Sequence, residues 1–176
     1  MLIDADICMG EIMKIVGCGV LTKISEIVAG ELCAFAQFNE PTLGVCVGKN
    51  GRFAQVGFLT GREIVGDIRN IEPHVTCYSY GIYWTLEVTT EGFSIPIRMK
   101  DKPNPRLCID DTGPKLMFTG GSYADTLFYN LIDTELSERW PDMAVEVEAF
   151  KIWQDENARS QPGAKPLFVK EAPAAS

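Results

Sequence analysis

Between Val20 and about Phe118 the chain is a succession of short β-branched or aromatic runs cut by turn residues. That succession limits the folds open to it. "ELCAFAQF" is apolar and sheet-like, and "TLGVCVGKNGRFAQVGFL" is two runs around Asn50-Gly51, a pair suited to the positive φ of a tight hairpin. "HVTCYSYGIYWTLEVTT" is a longer β-branched and aromatic stretch. "FSIPIRMK" contains Pro96, which cannot donate into a ladder and so marks an edge strand. "DKPNPR" is a loop. Several short strands with few helices between them predict an antiparallel sheet, barrel-like or strongly bent.

Helices are expected at two places. Asp4 or Asp6 is placed to cap a short helix near residues 5–16, although Gly10 and Gly17 weaken its period. In "GGSYADTLFYNLIDTELSERWP", Ser122 and Asp125 have capping-box spacing. Ala124, Leu127, Phe128, Leu131, Ile132, Leu136 and Trp140 recur at helical intervals, and Pro141 ends the run. "MAVEVEAFKIW" then alternates apolar and acidic residues, which favours a strand over about 143–149. The fold expected is therefore α+β: an antiparallel sheet packed against one long C-terminal amphipathic helix. One domain is expected over residues 1–153. Residues 154–176, rich in Ala, Pro and polar side chains, read as a flexible tail with one apolar knot at Leu167-Phe168-Val169.

Asp111-Thr112-Gly113 resembles the active-site triplet of the aspartic proteases, a resemblance that covers three residues. It implies a catalytic Asp111 acting in a homodimer, since the mechanism needs two carboxylates sharing a proton and no second such triplet occurs. The flanks depart from that family: Asp110 precedes the triplet and Pro114 follows it. Asp, Thr, Gly and Pro between "LCI" and "KLMF" are turn residues, so the segment is predicted to be the corner of a hairpin.

Other chemistry finds little support. Each Ser-His or Cys-His mechanism would need His74, the one histidine, and in "EPHVTC" it stands at odd spacing from Cys77, on opposite faces of a strand. "GVCVGKN" is one residue short of a phosphate loop and ends in Asn50, and "VGCGVLT" has Thr22 in place of the third glycine of a dinucleotide loop. The six cysteines contain no Cys-x-x-Cys pair and lie mostly in apolar runs, so they read as reduced core thiols. No cofactor and no metal site are expected. The N-terminal stretch opens with two aspartates and lacks a basic region, and no stretch is long and apolar enough to span a membrane, which points to the cytoplasm.

Charge is the remaining signal. The net charge is −8, and residues 125–156 hold 9 acidic against 2 basic side chains. Such a segment disfavours direct binding to nucleic-acid phosphates and suits a basic protein partner. Asp133, Glu135, Glu138, Asp142, Glu146 and Glu148 are the candidate docking residues. The function expected is a non-catalytic interaction protein of inhibitor, immunity or adaptor type. One alternative is a small-molecule-binding barrel in which His74, Tyr78, Tyr80 and Trp84 share a strand face and stack a planar ligand. The other is an enzyme whose dispersed site leaves no motif.

Overall fold

The computed structural model describes residues 19–36, 40–88, 93–94, 105–120, 126–141 and 144–172. Hairpin-forming sequence dominates it. β1 (Val20–Lys23), β2 (Leu32–Phe35), β3 (Thr42–Asn50), β4 (Phe53–Phe58), β5 (Asp67–Ile71) and β6 (Thr76–Ser79) form one wing of a large sheet, in the order β1-β6-β2-β3-β4-β5. The β3–β4 turn is Gly51-Arg52, one residue beyond the expected pair, with glycine at the first central position that strand twist favours. β9 (Arg106–Asp110) and β10 (Gly113–Gly120) form the hairpin expected around Asp111-Thr112.

β10 joins the sheet together. It pairs antiparallel with β9 and with β11 (Thr126–Asn130), and its last residues, Thr119 and Gly120, run parallel to Asp67 and Ile68 of β5. β12 (Leu136–Ser137) adds to β11, while β13 (Val145–Val147) lies between β9 and β8 (Phe93–Ser94). A second sheet has the order β15-β14-β7, from Phe168–Lys170, Phe150–Trp153 and Thr85–Val88. Side chains from both sheets meet in one main core, including Leu32, Val45, Leu107, Phe118, Tyr129 and Phe150. On the opposite face of β2, β3, β4 and β6, Cys33, Phe35, Cys46, Val56, Phe58 and Cys77 form a second cluster under Ile24 and Ile27. The wing is therefore apolar on both sides.

The long C-terminal helix is not there, and the fold is mostly β rather than α+β. Residues 126–130 are β11 and residues 136–137 are β12. The cause is two-sided burial. Tyr129 points into the main core, whereas Phe128 packs with Cys108, Met117 and Ala144 on the other face and meets Trp140 edge-on at 4.9 Å. A strand covered on both faces gives a near-continuous apolar run that periodicity cannot tell from a buried helix. Asn130 then ends the strand, its Oδ1 accepting from Ile132 N at 2.9 Å. Among the described residues the one helix is α1 (Glu156–Ser160), capped by Asp155 Oδ1 accepting from Ala158 N. The short helix expected near residues 5–16, together with Ser122 and Asp125, lies outside the described residues.

The segment expected as a tail also carries order. Leu167 N donates to Ile152 O at 2.8 Å, and Phe150 and Phe168 rings lie 5.6 Å apart. The apolar knot leads into an edge strand, β15, and Leu167 and Phe168 cover apolar surface of the main core.

Candidate interaction surface

The six candidate acids do not share one face. Asp142 lies outside the described residues. Glu146 is paired with Arg106 across β13 and β9, with side chains only 12 % and 14 % exposed, so its charge is matched inside the protein. Glu148 is half-buried in the β13–β14 connection. Asp133, Glu135 and Glu138 are exposed on the β11–β12 hairpin. Three strands, β11, β10 and β9, separate β12 from β13. At about 4.8 Å per spacing that puts Glu146 roughly 19 Å across the sheet from the hairpin acids. The acidic surface is thus a smaller patch than the sequence suggests.

Local bonding fixes that patch. Asp133 Oδ2 accepts from Asn130 Nδ2 at 3.0 Å, and its Oδ1 accepts from Glu135 N at 2.9 Å. Asn130 N donates to Glu135 O, and Thr134 N donates to Asn130 O. Closing the loop this way leaves Thr134 at φ 60, a conformation that β-branched residues avoid. The loop leans on its neighbour: Leu131 N donates to Pro114 O at 3.0 Å, and Ile132 touches the backbone at Gly113.

Three loops converge at Gly30. The side chains of Thr134, Ile82 and Tyr129 all reach within 4 Å of where a Cβ on Gly30 would stand. Trp84 Nε1 donates to Gly30 O at 2.8 Å. Ser79 Oγ donates to Glu31 Oε2 at 2.6 Å and accepts from Gly81 N at 3.1 Å, so the β6–β7 loop is tied to the turn before β2. Beneath them Tyr129 Oη is buried beside Thr134 and Gly30, and burial pushes its phenol up to about 12. Above them Val28, Ile82 and Tyr83 stand open to solvent, Tyr83 at 83 %.

The aromatic stripe is divided by that loop. Gly81, at φ 77, turns the chain out of β6, and β7 belongs to the second sheet. His74 is exposed in a turn beside Glu72, at 3.2 Å. Tyr78 and Tyr80 rings meet edge-on at 5.7 Å, while Tyr80 and Trp84 pack partly buried against the main core. These residues do not form one open stacking face. The feature missed in the sequence is Tyr83, which the alternation placed on the other side of the stripe. Gly81 between two aromatic runs was the turn signal that pointed to it.

Asp111 is an exposed turn residue. The buried carboxylate is its neighbour Asp110, which binds Lys115 and accepts from Thr112 Oγ1 at 2.8 Å and from Thr112 N at 2.9 Å. Burial pushes Asp110 up, but Lys115 and Thr112 outweigh it and hold the carboxyl below its ordinary range. The described cysteines Cys33, Cys46, Cys77 and Cys108 are buried free thiols. Burial raises Cys108 to about 12, and a hydrogen bond to Cys77 together with burial raises Cys33. Among the described residues no group of acids, histidine and thiols is arranged to hold a metal ion, and no helix is long and apolar enough to cross a membrane. Comparison with family models, curated proteins and solved structures finds no match to the chain.

Proposed function

We propose that the protein is a non-catalytic interaction module that docks a basic protein partner through the β11–β12 hairpin. The observation that carries this reading is the display of Asp133 and Glu135 on one exposed, internally bonded loop, with exposed Glu138 just beyond β12. Their Coulomb field steers a cationic partner, and the hydrogen bonds of Asp133 and Asn130 reduce the ordering required on contact. Glu146 is outside the proposed surface because Arg106 already neutralises it. The buried free thiols Cys33, Cys46, Cys77 and Cys108 support a reducing, cytoplasmic setting for this docking.

The test is a paired capture from lysate of the source cell with the parent and a Glu135→Lys/Glu138→Lys variant, at low and high salt. A protein retained by the parent, released by salt and absent from the variant's eluate is the expected outcome. Equal retention by both would remove this hairpin as the docking surface.

A further inference from the structure

The hairpin acids are one side of a larger feature, whose other side is the apolar tip at Ile82 and Tyr83. We infer that Tyr83, with Ile82 beside it, is the anchor that enters an apolar pocket on the partner, while basic residues around that pocket meet Glu135 and its neighbours. The inference rests on the acidic-docking reading and specifies its partner: a protein with an apolar pocket rimmed by Lys or Arg.

Three observations carry it. Tyr83 is 83 % exposed and Ile82 48 %, although both belong to a chain whose neighbouring aromatic side chains, Tyr80 and Trp84, are packed on the core. The tip is held from both ends: Tyr80 N donates to Leu32 O at 2.8 Å and Leu32 N donates to Gly81 O at 3.0 Å, while Trp84 is bonded to Gly30. A tyrosine presented on so fixed a base loses little freedom on binding, which is how aromatic side chains come to dominate interfaces. Finally, Ile82 and Thr134 each come within 4 Å of where a Cβ on Gly30 would stand, so the tip lies close to the loop bearing Asp133 and Glu135. An apolar centre bordered by charge of one sign specifies a pocket bordered by the other. Val20 and Leu21 on β1 are also exposed, but nothing among the described residues says what covers them.

The experiment incorporates a benzophenone photocrosslinking amino acid at position 83 and, as control, at the exposed Val169, and irradiates each in source-cell lysate. In parallel, Tyr83→Ala, Ile82→Ser and Glu135→Lys/Glu138→Lys are compared with the parent for retention of the crosslinked protein. Expected are a discrete adduct from position 83 alone, and at least tenfold weaker retention by Tyr83→Ala with unchanged thermal unfolding. Full retention by Tyr83→Ala and no adduct from position 83 would overturn the anchor. If charge reversal still releases the partner in that case, the acidic docking stands without it. If no protein depends on either set, both readings fall together.

Discussion

Two acidic hairpins lie side by side on β10, and they use their carboxylates in opposite ways. In the β9–β10 hairpin, Asp110 is turned inward, 3 % exposed, against Lys115 and Thr112. In the β11–β12 hairpin, Asp133 also binds its own turn, yet Glu135 and Glu138 project into solvent. Ile132 and Leu131 pack the second turn onto the first at Gly113 and Pro114. Similar sequence chemistry thus serves as a staple in one hairpin and as display in the other. What differs is whether a cation stands in register across the strand pair, as Lys115 does opposite Cys108, two positions from Asp110.

The comparison breaks most sharply at Asp110. Asp110→Ala leaves the Lys115 ammonium, only 12 % exposed, without its counter-charge, and a loss of about 3 kcal/mol is expected in urea unfolding. The same carboxyl sets an acid limb. Its folded value is depressed, so its contribution is complete above the unfolded value near about 4 and is lost as pH falls through the folded one. Stability of the parent measured by urea midpoint should therefore fall on acidification below about pH 4, and Asp110→Asn should flatten that limb while lowering the plateau. In the second hairpin Asp133→Ala removes two turn bonds and should cost about 1 kcal/mol by thermal unfolding. Thr134→Gly relieves the positive φ and should stabilise by about 0.5–1 kcal/mol; a clear loss would mean that the contact of Thr134 over Gly30 outweighs the backbone strain. Glu135→Gln with Glu138→Gln should change unfolding by less than about 0.5 kcal/mol while weakening partner capture, the signature of display without a structural role.

The first hairpin was legible because turn chemistry is local: Asp110, Asp111, Thr112 and Gly113 determine their own corner whatever surrounds them. The second was not. The 127–132 run carries the apolar content of a buried helix, and only the free edge of β10, already formed by residues 113–120, decides that it becomes a strand. That information is tertiary, and no window over 122–140 contains it. The candidate site divides in the same way. Exposure of Glu135 and Glu138 followed from their polarity, but capture of Glu146 by Arg106, forty residues earlier, required the register of β13 on β9. Tyr83 was hidden by treating residues 74–88 as one strand, which Gly81 prevents.

The parallel junction between Asp67-Ile68 and Thr119-Gly120 has a consequence for the order of events during synthesis. β1 to β6 lie within residues 20–79 and can pair as soon as they emerge, but β5 keeps one edge bare until residue 120 has left the ribosome. β7 likewise waits for β14, some sixty residues downstream. Loop-closure entropy makes such distant pairings slow, and a nascent chain halted between them carries unpaired strand edges. Premature release near residue 100 should yield a species that sticks to other chains through β5, whose edge at Asp67-Ile68 is covered only when β10 arrives.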